Sequence, residues 1–126
     1  MDSAPRLGFH TITPRIVTTD AALLIAFLRD VFDASGEYDG DRPCELRIGD
    51  SLVMVSEAGP RDATSAFLYV YVDDADVRYR RAIAAGGTSL EEPFDTPYGD
   101  RRAMVRDVSG NVWQIAHVLR PVHHNR

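Results

Sequence analysis

The 126-residue sequence has a single cysteine, Cys44, which allows no internal disulfide and suits a reducing compartment. It has no apolar run of membrane-spanning length, and Met1–Leu7 carries no signal-like hydrophobic segment, so neither a membrane nor export is expected. Basic residues are in deficit: 14 Lys and Arg against 19 Asp and Glu give a formal net charge of −5. That balance removes the usual electrostatic basis for binding nucleic acid or an anionic membrane. Histidine is scarce, four in all, and no glycine-rich phosphate loop is present. What remains is 44% hydrophobic and 26% charged, an ordinary globular composition at single-domain length. A chain of this size buries roughly two-thirds of its unfolded surface without staples. The expectation is one soluble, cytoplasmic domain.

Hydrophobic periodicity divides the chain further. Residues 1–9 and 119–126 read as polar tails, leaving a domain over 10–118 with modules at about 10–58 and 66–118. His10–Thr19, rich in Ile, Val and Thr, reads as a strand, with Pro14 unable to donate a ladder bond. Leu24, Phe27, Leu28 and Val31 then recur at helical spacing behind a Thr19 or Asp20 cap. Strands fit at Gly36–Asp39, Cys44–Ile48 and Ser51–Ser56, with Gly49-Asp50 as a tight turn. The second half repeats this plan: a strand over Ala66–Val72, a helix from Asp74 to Gly86-Gly87, then strands at Thr88–Glu92, Arg102–Arg106 and Asn111–His117. Asp20 and Asp74 each close a strand and open a helix; Gly49 and Gly110 each sit at the last hairpin. The chain is thus two consecutive βαβββ units, an α+β plan distinct from a dinucleotide-binding βαβ fold.

Several segments resemble the vicinal oxygen chelate superfamily, which includes glyoxalase I, extradiol dioxygenases, and fosfomycin-modifying and bleomycin-binding proteins. In the first half these are Thr13-Pro14-Arg15-Ile16-Val17 running into Asp20, and Glu45 through Ser51. In the second they are Tyr71-Val72-Asp73-Asp74, Ala84-Ala85-Gly86-Gly87, Tyr98-Gly99-Asp100-Arg101, and Arg106 through Trp113. The resemblance covers about residues 10–118. It implies two βαβββ modules whose mixed sheet curves into an open cup with helices outside, assembled as a homodimer around a small-molecule ligand.

The scaffold alone does not fix the function. Metal-using members of the superfamily place ligands at four repeat-related positions inside the cup. Counting back from Asp20 and Asp74 assigns Thr13 and Phe67; counting forward from Gly49 and Gly110 assigns Val53 and Gln114. Thr, Phe, Val and Gln do not supply the imidazole, carboxylate or thiolate donors that zinc, nickel, iron or manganese need. No metal and no other cofactor is therefore expected.

With those positions facing inward, period two adds Arg15 and Val17, Tyr69 and Tyr71, Ser51 and Val55, and Val112 and Ala116. Tyr98 and Arg101, in the Tyr98–Arg102 cluster, would border the cup; an internal Arg–Asp pair is the alternative. The expected ligand-binding set is Thr13, Arg15, Val53, Phe67, Tyr69, Tyr71, Tyr98, Arg101 and Gln114. Aromatic rings with one cation suit a planar or aromatic ligand, although the same rings would also pack a collapsed core or a dimer seam. His10 and His117 fall on the opposite strand parity, Glu45 and Glu57 read as solvated, and Cys44 and Trp113 as buried. His123 and His124 belong to the polar tail. The leading expectation is a metal-free binder related to the drug-resistance members. The alternative is a glyoxalase-like lyase, an isomerase or a dioxygenase, which would need His10, Glu45, Glu57 or His117 to converge.

Overall fold

A computed structural model describes residues 4–120. The chain runs β1 (Arg15–Thr18), α1 (Ala21–Phe32), β2 (Cys44–Ile48), β3 (Ser51–Glu57), β4 (Phe67–Tyr71), α2 (Ala75–Ala84), β5 (Thr88–Asp95), β6 (Asp100–Arg106) and β7 (Val112–Val118). His123 and His124 lie outside the described residues.

Both helices start where an aspartate caps them. Asp20 accepts from the Leu23 N–H and Asp74 from the Val77 N–H, each at 3.1 Å. Each module then satisfies its helix's first N–H from its own last strand. Ala21 donates to Glu57 Oε1 at 3.0 Å, and Ala75 donates to His117 Nδ1 at 2.8 Å. Two residues weighed as possible ligands are therefore helix caps in separate modules.

β1, β3 and β2 form one sheet in that order, and β4, β7, β6 and β5 form the other; β1 is parallel to β3 and β4 to β7. The expected strand at Gly36–Asp39 does not form, and only a Ser35–Arg47 bridge marks its place. Gly36 takes φ +145°, outside the β region, so pairing stops after that bridge; the backbone there passes so close to β2 that a Cβ on Gly36 would lie 2.3 Å from the Glu45 carbonyl oxygen. The first strand is likewise shorter than expected. Pro14 still contributes its carbonyl, accepting from Met54 N–H at 2.9 Å, but regular pairing begins at Arg15.

One core serves both modules. Leu24, Phe27, Leu28 and Val31 are all buried, as their spacing predicted. They meet Leu46 and Val55 from the first sheet and Val105, Trp113 and Ile115 from the second. The Phe32 and Trp113 rings, one from each module, lie 5.2 Å apart. Trp113 Nε1 donates to Asp107 at 2.7 Å, so its polar atom is satisfied inside the core.

A polar joint reinforces this seam. Arg78 on α2 is 13% exposed and donates to Asp33 Oδ2 at 2.7 Å, to the Val31 carbonyl at 3.2 Å and to Asp73 at 3.0 and 3.1 Å. Asp33 ends α1 in the left-handed region at φ 56°, a conformation unfavourable for a non-glycine residue. Arg81 also donates to it, at 3.3 Å.

Two stability predictions follow from these contacts. Gly40 also has positive φ, +86°, but nothing lies within 4 Å of a Cβ built there. Gly40→Ala is expected to cost about 1 kcal/mol, and Gly36→Ala clearly more, in urea unfolding. Arg78→Met is expected to cost about 2 kcal/mol by the same measurement, since its charge-assisted bonds end on exposed carboxylates.

Candidate functional site

The open face of the second sheet is built by strand alternation. Leu68 and Val70 of β4 turn toward the helices and core, which sends Phe67, Tyr69 and Tyr71 to the other side. Ladder register places Gln114 beside Tyr69 and Ala116 beside Tyr71, with Met104 and Arg102 next across the sheet. Phe67 stays 66% exposed, Tyr71 61% and Tyr98 62%, so these rings do not pack a core within the protomer.

On this face three phenols and a carboxylate interlock. Asp100 opens β6 and is buried; its backbone is held by Thr96, whose hydroxyl donates to the Asp100 carbonyl at 2.9 Å and accepts from its N–H at 3.0 Å. Asp100 Oδ2 accepts from the Tyr69 hydroxyl at 2.5 Å and the Tyr71 hydroxyl at 2.9 Å. Tyr98, on the β5–β6 turn, places its hydroxyl 3.2 Å from that of Tyr69. Arg102 donates to the Tyr98 oxygen at 2.8 Å, pairs with Glu91 at 3.0 Å, and lies over the Phe94 ring. Burial, then the bonds with Asp100 and Tyr98, hold the Tyr69 phenol well above its ordinary pKa. The bond to Asp100 is the main cause of the smaller rise at Tyr71.

Of the expected set, Tyr69, Tyr71 and Tyr98 come together, and Phe67 and Gln114 share their face. Thr13 precedes β1 and is half-buried. Arg15 instead donates to Ser56 Oγ at 3.0 Å on the first sheet and borders a separate depression with Pro60 and Arg61. Arg101 is corrected: it pairs with Asp76 and Asp95, each at 3.0 Å, on the helix side of β6, and its neighbour Arg102 faces the phenols. Asp100 and Arg102, noted in the sequence only as part of the cluster bordering the cup, are site residues, and Glu91 is the one sequence reasoning left out. The alternation of Tyr69 with Tyr71 and of Asp100 with Arg102 was the available signal.

Val53 is also corrected. It is buried in the core with Val55, on the helix side of β3 and not on the open sheet face, although it also lines the cleft between β4 and the β2–β3 hairpin. The two final hairpins differ by one residue. Ile48 pairs with Ser51 across the two-residue turn Gly49-Asp50. In the second module Asp107 N–H donates to the Asn111 carbonyl at 2.8 Å, enclosing three residues, Val108-Ser109-Gly110. Counting from the glycines therefore slips by one, which reverses the face. The ladder gives the true equivalence: Arg15 pairs with Met54 as Tyr69 pairs with Gln114. The helix caps agree, since Glu57 follows Met54 by three residues and His117 follows Gln114 by three.

The repeat-related positions are thus Thr13, Met54, Phe67 and Gln114. A hydroxyl, a thioether, a phenyl ring and an amide do not fit a divalent metal that takes nitrogen and carboxylate donors. Among the described residues no group of three or more His, Cys, Asp or Glu is arranged to hold a metal ion. Cys44 is buried, donates to the Glu37 carbonyl at 3.4 Å, and has its thiol pKa raised by burial.

A cleft of about 440 Å³ runs between β4 and the β2–β3 hairpin, lined by His10, Ile48, Leu52, Tyr69, Tyr71 and Trp113 among others. β4 is the outer strand of its sheet. Val112 N–H donates to the Ala66 carbonyl and Val72 N–H to the Ala116 carbonyl, so even-numbered positions bond to β7. The backbone groups of Phe67, Tyr69 and Tyr71 point the other way, to the free edge along the cleft.

This architecture has known counterparts. Residues 8–115 match the family Glyoxalase/Bleomycin resistance protein/Dioxygenase superfamily. The chain belongs to that superfamily. An uncharacterized protein of Mycobacterium bovis is 29% identical over 129 residues, covering 88% of this chain and 85% of its own. An uncharacterized Mycobacterium tuberculosis protein is equally similar, with 88% and 76% covered. Among solved superfamily-like structures, TioX from Micromonospora sp. ML1 superposes with a TM-score of 0.73 at 24% identity, over 87% of this chain and 99% of its own. A glyoxalase/bleomycin resistance protein/dioxygenase family enzyme from Burkholderia phytofirmans also reaches 0.73 at 24% identity, with 85% and 97% covered. These two likenesses establish the superfamily's fold, two mixed sheets with an open curved face and two helices. No helix among the described residues is long and apolar enough to cross a membrane.

The phenol cluster gives a pH prediction. Because the folded-state pKa of Tyr69 is raised, its contribution to stability is complete below the unfolded pKa of about 10 and is lost as pH rises above it. Unfolding free energy measured from pH about 8 to about 11 should therefore fall, and Tyr69→Phe should flatten that fall.

Proposed function

We propose that this superfamily member binds a small, planar or aromatic organic molecule on the open face of its second sheet, without a metal, in a homodimer in the cytoplasm. The reading rests on one observation above all: Phe67, Tyr69 and Tyr71 stand at every second position of an outer strand, with the Phe67 and Tyr71 rings largely uncovered by the protomer and Tyr69 partly so. Open aromatic faces beside a cleft stack a conjugated ligand at modest entropic cost. The donor chemistry at Thr13, Met54, Phe67 and Gln114 supports the metal-free part. The exposed rings also support the dimer, because a second copy would enclose a face that one protomer leaves open. In this reading the protein sequesters its ligand, as a drug-binding resistance protein does. Glu57 and His117 serve as helix caps in separate modules, so they do not converge as the enzyme alternative requires, although His10, expected to point away, does line the cleft.

Metal analysis of protein purified without chelator, combined with a planar fluorescent probe, tests the proposal. The expected result is no stoichiometric divalent ion and probe binding weakened about tenfold by Phe67→Ala plus Tyr71→Ala. A retained stoichiometric metal, or probe binding indifferent to both substitutions, overturns it.

A further inference from the structure

The hydrogen-bond directions within the phenol cluster restrict the ligand's chemistry further. Each phenol has one proton, and each proton is already committed. Tyr69 and Tyr71 both donate to Asp100 Oδ2. Tyr69 has no second proton, so in its contact with Tyr98 the donor is Tyr98. The Tyr98 oxygen in turn accepts from Arg102. Among the described residues the other Asp100 oxygen accepts no hydrogen bond, yet it is not among the buried unpaired atoms and so touches solvent. What the cluster presents outward is lone pairs: those of the phenol oxygens and of one carboxylate oxygen.

Charge points the same way. Asp100 and Glu91 bring two carboxylates and Arg102 one guanidinium. Glu91 takes three of the Arg102 contacts, at 3.0, 3.2 and 3.3 Å. One negative charge remains, on Asp100, which is only 4% exposed and sits among exposed aromatic rings. A negative patch whose phenol and carboxylate oxygens offer lone pairs, bordered by π faces, attracts a cation that also donates hydrogen bonds.

We infer that the ligand of this site is an organic cation, a planar molecule carrying a protonated amine or amidine nitrogen, with Asp100 and the Tyr71 hydroxyl as its acceptors. The inference rests on the proposed open-face binding site and adds the ligand's charge and donor character. An anionic or purely accepting ligand would meet lone pairs wherever it met the phenols.

Three probes sharing one ring system separate the possibilities: 9-aminoacridinium, neutral acridone and anionic acridine-9-carboxylate, titrated against the full chain by fluorescence. The expected result is 9-aminoacridinium binding about tenfold more tightly than acridone, with the carboxylate weakest. Asp100→Asn should abolish most of that preference, so that cation and acridone affinities converge. In the unsubstituted protein, added salt should weaken the cation alone, a readout that does not depend on the variant folding. Acridone or the carboxylate binding as tightly as the cation overturns the cation assignment and leaves the binding site standing. Failure of all three to bind overturns both.

Discussion

Arg78 reaches from the second helix across the seam between modules and holds three groups at once: the end of the first helix, the left-handed Asp33 that terminates it, and Asp73 before its own helix. Neither exposed carboxylate would contribute much alone, but a nearly buried guanidinium makes the three contacts geometrically interdependent. Together with the Phe32–Trp113 contact, it fixes how the first module stands relative to the second. The cleft between β4 and the β2–β3 hairpin has one wall from each module, so its shape follows from this joint rather than from either module alone.

The parts of the fold legible in the sequence are those where one local pattern dominates. The helical stripe of α1, the aspartate caps and the buried Trp113 needed only periodicity and capping chemistry. The missing strand at Gly36–Asp39 was not legible, because Gly36 takes a positive φ beside the Glu45 backbone, a non-local contact absent from local pattern. The same limit explains the error at Val53. A glycine marks a turn without stating how many residues the turn contains, and one residue separates a two-residue turn from a three-residue loop.

The site shows a similar division. Phe67, Tyr69 and Tyr71 could be placed together by period two within one strand. Asp100 could not be tied to them, since its partners lie 29 and 31 residues earlier and only the parallel return of β7 beside β4 brings the strands into one sheet. Arg101 and Arg102 are adjacent in sequence and opposite in role: one guanidinium braces β6 against α2, the other orders the phenols. Their identities are equal, so only the strand's phase distinguishes them.

The unequal hairpins bear on how such a duplicated protein tolerates change. A turn absorbs an added residue while both flanking strands keep their partners, so chain numbering drifts between the halves and the ladder does not. Structural equivalence is preserved in the pairs across strands: Arg15 with Met54, Tyr69 with Gln114. Roles transferred between the halves, or between chains of this superfamily, are carried reliably by those pairs; distance along the chain is an elastic measure.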